Sequence, residues 1–194
     1  MSKTGRAFGA FGLLMIAASM PAAAQSTTAT SAPAQSATTT KRAFGVGHTD
    51  IGPTLGLGGI GAASFAIGGR FERGIKALPD MGDGVLAIGL SADWYNYNDT
   101  FTGADYDFTY IPIAATANYH IKIENNSKFD PFVGLGLGYL IVDTPYTGSY
   151  NSGIYFVGRV GARWFMTPKM ALYGDAGAGA ATLNVGVTFK LSGS

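Results

Sequence analysis

The sequence predicts an all-β fold, an eight-stranded antiparallel up-and-down transmembrane β-barrel that follows an N-terminal signal peptide and a disordered linker. Three observations carry that expectation. Apolar and polar residues alternate with a period of two in eight separate segments, most of them long enough to cross a bilayer as tilted strands. Charged residues make up 13% of the chain, about half the ~25% of a soluble domain, so little of the surface is suited to water. Beyond the first two dozen residues no apolar run approaches the ~20 residues of a spanning helix, so any later crossing falls to strands.

At the N-terminus, Lys3 and Arg6 precede a mostly apolar run over 7–18, then Pro21 and Ala22, Ala23 and Ala24 before Gln25. A charged start, a short apolar run and small residues at a cleavage site predict a signal peptide over 1–24. A membrane anchor is the competing reading, and the run is too short for one. Residues 25–42 are dominated by Ser, Thr, Ala, Gln and Pro, which cannot bury enough apolar surface to offset ordering entropy, so a flexible linker is expected there. A plain spacer is favoured over an O-glycosylated stalk. The barrel domain is expected over 43–194.

The formal charge is +1, but without Lys3 and Arg6 the chain holds 11 bases against 12 acids, a net −1. It carries no basic run of the kind that binds nucleic acid, and no nucleic-acid partner is expected. The absence of cysteine excludes disulfides, cysteine-ligated metal, thiol catalysis and a lipidated N-terminal cysteine.

The strands follow in order. Ile51 to Gly59 sets Leu55 and Leu57 against Thr54, Gly56 and Gly58. Ser64 to Arg73 sets Phe65, Ile67 and Phe71 against Gly68, Arg70 and Glu72. Gly84 to Tyr97 sets Leu86, Ile88, Leu90 and Trp94 against Gly89, Ser91, Asp93 and Tyr95. Asp107 to Ile123 sets Ile111, Ile113, Ala115, Ala117, Tyr119 and Ile121 against Thr116, Asn118, His120 and Lys122. Asp130 to Val142 alternates Val133, Leu135, Leu137, Tyr139 and Ile141 with Gly134, Gly136 and Gly138. Ile154 to Phe165 alternates Phe156, Val160 and Trp164 with Arg159, Gly161 and Arg163. Met170 to Gly177 sets Met170 and Leu172 against Tyr173 and Asp175. Ala181 to Leu191 closes the series, with Leu183, Val185, Val187, Phe189 and Leu191 against Asn184, Gly186, Thr188 and Lys190.

The separators have turn chemistry at 78–83, 125–127 and 167–169. With a periplasmic N-terminus these lie on the periplasmic side, and the longer polar and aromatic stretches 98–106 and 143–153 become surface loops. An even strand number brings both termini to one end and leaves no free edge.

Periodicity alone does not say which face is outside, since a soluble barrel alternates too. Composition decides. The polar faces are mostly Gly, Ala, Ser and Thr with one or two charges each, too thin a layer to solvate an exterior but well suited to a narrow interior. Trp94, Tyr119 and Trp164 sit near ends of the apolar stripes, where an aromatic girdle belongs.

The run Phe129, Asp130, Pro131, Phe132, Val133, Gly134, Leu135, Gly136, Leu137, Gly138, Tyr139 resembles the fifth-strand pattern of the small outer-membrane β-barrel superfamily, which includes OmpA/OmpX-like and OmpW-like barrels. Val185 to Leu191 is similar to their C-terminal strand. The resemblance covers 44–191. It implies outer-membrane lipid as surroundings, periplasmic chaperones and the barrel-assembly machinery as partners, and an assembly signal at Val187, Phe189 and Leu191. Leu191 stands where the family usually has an aromatic residue, and Ser192, Gly193 and Ser194 follow it.

On this reading Arg70, Glu72, Asp93, Asn118, His120, Lys122, Arg159, Arg163, Asp175, Asn184 and Lys190 form a polar network in the lumen. An eight-stranded interior is just wide enough for side chains to fill it. The groups should therefore pair, and counting from the turn at Thr167 puts Arg159 against Asp175.

A proton or solute path is the alternative use of these charges. Catalysis would need a Ser or similar nucleophile beside a histidine at the membrane interface. His48 and His120 are the two histidines, and for both a structural role is favoured. Neither has metal-ligand spacing, and no cofactor is expected. The glycine-rich run 56–61 lacks a following helix, so it reads as strand crowding and not as a nucleotide loop.

The function expected is an outer-membrane barrel with a structural or surface-interaction role, not an enzyme. The alternatives are a narrow channel for small or hydrophobic solutes, and a lipid-modifying enzyme.

Overall fold

The computed structural model describes residues 43–60, 63–101, 104–124, 126–143 and 151–193. The expected signal peptide and linker lie outside the described residues. Eight strands follow one another: β1 (Thr49–Leu57), β2 (Phe65–Leu78), β3 (Gly84–Phe101), β4 (Ala104–His120), β5 (Phe129–Asp143), β6 (Gly153–Thr167), β7 (Met170–Ala178) and β8 (Leu183–Ser192). Each pairs antiparallel with its sequence neighbour, and β1 pairs with β8, so the sheet closes. The chain is an up-and-down eight-stranded barrel.

Alternation along the strands sorts the side chains between two environments. Leu135, Phe156 and Val160 are 73%, 82% and 61% exposed, whereas Glu72, Arg163 and Asp175 are buried. Oil lies outside and ionic groups lie within, the reverse of a soluble barrel.

Glycine on the inner face is what lets those groups fit. A Cβ on Gly68 would lie 1.9 Å from Asp93 Oδ1, and one on Gly134 2.2 Å from Asn118 Oδ1. A Cβ on Gly138 would lie 2.2 Å from the Tyr155 ring. A bare position on one strand thus houses the side chain of the next.

Several boundaries differ from expectation. β1 begins at Thr49, two residues before Ile51, because Asp50 continues the inward register. β2 runs past Arg73 to Leu78 through a bulge between Gly74 and Lys76. The stretch 98–106, expected as a loop, is mostly strand: β3 and β4 stay paired from Asn98↔Asp107 to Phe101↔Ala104. The residues expected as the other surface loop fall between β5 and β6, and 144–150 lie outside the described residues.

Candidate functional site

The lumen is built in tiers, starting at the end where β1 begins and β8 ends. Arg163 of β6 is buried at the centre of the first. Its Nε faces Asp50 of β1 at 3.4 Å, its Nη1 donates to Asp130 of β5 at 3.2 Å, and its Nη2 donates to Glu72 of β2. The guanidinium also lies over the rings of Phe44, Phe132 and Tyr173 at 5.0, 5.5 and 5.8 Å.

His120 of β4 bridges the same carboxylates: Nδ1 is 2.9 Å from both Asp130 oxygens and Nε2 is 2.9 Å from Glu72 Oε1. A neutral imidazole has one N–H, so contact with an acid on each side is satisfied when both nitrogens donate. Asn118 donates to Glu72 at 2.6 Å. Three carboxylates thus converge on Arg163 and two of them also on His120, inside an apolar wall that makes each unpaired charge expensive.

A short N-terminal segment closes this tier from below. Gly47 N–H donates to Gly74 O at 2.8 Å and Gly74 N–H returns to His48 O at 2.9 Å, which ties 44–48 to β2. Phe44 stacks on His120 with centroids 3.8 Å apart and 10° between planes. His48 is buried, with Nε2 3.2 Å from Asp50 Oδ2.

The second tier holds two more ion pairs. Arg159 of β6 donates from Nε to Asp175 Oδ1 of β7 at 2.6 Å, and Asp175 also accepts from Asn184 at 2.8 Å and from the Tyr173 hydroxyl. The pairing is diagonal: Arg159 registers with Gly177 and Asp175 with Gly161, because the turn is centred between Pro168 and Lys169, not on Thr167, and the bulge between Phe165 and Thr167 takes back only one residue of that offset. The expected direct opposition is therefore displaced by two residues, a reach that a long arginine side chain spans. Arg70 of β2 donates to Asp93 of β3 at 2.9 Å. A cavity of about 50 Å³ remains beside Arg70, Asp93, Tyr155, Arg159 and Asp175, room for water.

The third tier, at the loop end, is apolar. Ala63, Ala66, Tyr95, Tyr110 and Ala181 are buried, and Ile60, Tyr97, Phe108, Leu140 and Val142 pack on them.

Nine of the eleven residues expected in the polar network lie in these tiers; the other two sit at the rim. Lys122 lies past the end of β4 and donates to Asp83 at 2.9 Å, and Lys190 is half-buried near the end of β8. Trp94 and Trp164 are exposed on the outer face near opposite ends. Tyr119 lies over Gly84 and donates to Met81 O. Phe189 and Leu191 face outward, and Val187 is half-buried.

Sequence reasoning did not place Phe44, His48, Asp50 or Asp130 in the network. Asp130 shares the parity of Gly134 within the strand expected from Asp130, so parity alone reports it, whereas Asp50, with the parity of Thr54, becomes readable once β1 starts at Thr49. Phe44 and His48 precede β1, and no periodicity reports on them. Among the described residues no group of three or more His, Asp or Glu is arranged to hold a metal ion.

No protein-family model and no curated protein matches the chain. Among solved structures it is similar to the outer membrane protein OprG from Pseudomonas aeruginosa, with a TM-score of 0.52 and 13% identity over 77% of this chain and 98% of that one. Neisserial surface protein A matches at a TM-score of 0.44 and 17% identity, over 74% of this chain and 95% of that one. Ail, the attachment invasion locus protein of Yersinia pestis, matches at 0.41 and 12%, over 74% and 93%. At such identity the OprG match speaks for architecture, and with the closed sheet it leads to one conclusion: the chain has the fold of the small eight-stranded outer-membrane β-barrels.

Proposed function

We propose that the chain resides in an outer membrane as a closed barrel with a structural or surface-interaction role, its lumen plugged by charged side chains. The observation that carries this reading is the Arg163 cluster. Side chains from β1, β2, β4, β5 and β6 meet across the interior there, with Phe44 stacked beneath them. Moving a solute through would separate at least three buried charge contacts, each costly to break. The extended β3–β4 hairpin and the segment between β5 and β6 are the candidate recognition surfaces, since a rigid barrel leaves its loops free to vary. Periplasmic chaperones and the barrel-assembly machinery are its partners during biogenesis. A non-catalytic role is favoured because both histidines are buried and engaged with carboxylates, away from the lipid interface.

The test is twofold. Unboiled and boiled membrane samples run at different mobilities in electrophoresis if a folded barrel is present. Purified protein in planar bilayers gives no stable conductance steps; steps that persist in the wild type refute the plug.

A specific observation favours a second reading, a narrow transporter that uses a side exit. The β3–β4 ladder runs to Ala92↔Ile113 and resumes at Tyr95↔Tyr110, and Pro112 in the gap has no N–H to donate. Tyr95 and Tyr110 of the apolar third tier border that interruption. Vesicle uptake of a small hydrophobic solute that falls on Pro112→Ala supports this reading; uptake equal to empty vesicles removes it.

A further inference from the structure

The two ends of the barrel differ in charge, and one side of one end is built for anions. Among the described residues the loop end, 58–60, 63–64, 95–101, 104–110, 139–143, 151–155 and 177–184, includes Asp99, Asp105, Asp107 and Asp143 and no Lys or Arg. At the opposite end the charges separate around the rim. On the side of the β2–β3 link and the β4–β5 turn, Lys122 is paired to Asp83, and Lys128 shares the rim with Asp80 and Glu124. The remaining arc runs from the β6–β7 turn through β8 and β1 to β2. It carries Lys169, Lys190, Arg73 and Lys76.

The strand register brings Lys169, Lys190 and Arg73 near one level, with Lys76 three residues further along β2. Lys190 N–H donates to Lys169 O at 2.8 Å, Lys190 registers with Asp50, and Arg73 registers with Thr49, which registers with Ser192. Neighbouring strands are about 4.8 Å apart, so the arc from β8 to β2 spans roughly 10 Å. The acids on it, Asp50 and Glu72, point into the lumen and are engaged by Arg163, so among the described residues the arc shows no exposed carboxylate. Arg73 and Lys76 stand on the outer face beside Ile75, which is exposed to the surroundings of the barrel. Cations bordering a lipid-facing apolar surface are stabilised where their long stems reach a headgroup layer, most strongly an anionic one.

We propose that this arc binds phospholipids with anionic phosphodiester headgroups in the leaflet at its own end of the barrel, while the acidic loop end disfavours them. The assignment rests on the membrane reading above and adds to it a lipid class and a sidedness. The two tryptophans supply the assay. Trp164 registers with Leu172 next to the β6–β7 turn that holds Lys169, and Trp94 lies on the outer face of β3 toward the loop end. The full-length protein, as Trp94→Phe or Trp164→Phe, is folded into phosphatidylcholine vesicles with a minor fraction of brominated phosphatidylglycerol or brominated phosphatidylcholine.

The expected result is stronger quenching of Trp164 by the brominated anionic lipid than by the neutral one, and no such excess at Trp94. Lys169→Gln with Lys190→Gln lowers the Trp164 excess by roughly fivefold per charge removed, and 1 M salt lowers it as well. Equal quenching of Trp164 by the two lipids, or an excess that survives the double substitution, overturns the lipid preference while leaving the barrel in the bilayer. Absence of quenching at both tryptophans by either lipid overturns the membrane reading itself, and the lipid preference with it.

Discussion

Replacing Arg163 with methionine removes the charge at the centre of the first tier while keeping most of its volume. Asp50, Glu72 and Asp130 would then share the interior with His120, His48 and Asn118 as their remaining side-chain partners in this tier. Breaking a buried ion pair from one side costs ~3–5 kcal/mol, because the partner is left charged and desolvated. Arg163 faces three carboxylates, which argues for the upper half of that range. The methionine offsets part of it by packing between Phe44, Phe132 and Tyr173, so the expected loss is about 4 kcal/mol. Urea titration of the vesicle-folded protein, followed by tryptophan fluorescence, measures it. Adding Glu72→Gln and Asp130→Asn to Arg163→Met should restore about half of the loss, since the like charges that the arginine held together are then gone. A single variant within about 0.5 kcal/mol of wild type, or a triple variant whose losses simply add, would refute the view that this cluster is an electrostatic unit.

Asp175→Ala, which strips Arg159, Asn184 and Tyr173 of a shared acceptor, should cost about 3 kcal/mol and lower the temperature at which the unboiled gel band shifts. Asp175→Asn should lose less than half as much, because an amide oxygen still accepts. Two glycines provide an internal contrast: a Cβ at Gly52 would lie 1.8 Å from Val187 O, whereas one at Gly158 meets Leu135 Cδ2 at 3.7 Å. Gly52→Ala should therefore weaken the β1–β8 seam by at least ~2 kcal/mol and Gly158→Ala should fold as wild type does, both read by band-shift yield. Phe44→Ala should cost ~3 kcal/mol in the same titration, since the ring fills the space between His120, His48 and Arg163.

The path from sequence to site can be followed residue by residue. Arg159 and Asp175 share a tier because inward parity and distance from one turn are both written in the chain; the exact centre of that turn, which makes their contact diagonal, is not. His120 was assigned to the polar face from its position between Asn118 and Lys122. That it bridges Glu72 and Asp130 depends on two further strands arriving at the same height. Lys122 shares the parity of His120 but lies beyond the strand end, where parity no longer fixes direction. The stretch 98–106 reads as loop because it is polar and aromatic without a clear alternation, yet its backbone continues the β3–β4 ladder.

What the chain alone determined is the number of strands, the closure they require and the face turned to oil. Each follows from a local rule: a period of two, an even strand count, and polar faces too poor in charge to meet water. The tertiary structure decided the height of each strand against its neighbours, and with it which acid meets which base. It also decided that Phe44 and His48 turn back beneath Arg163. The physical reason is that alternation repeats every two residues and is blind to sliding along the barrel, whereas charge pairing in a low-dielectric interior depends on distances of a few ångströms set by bulges and turns.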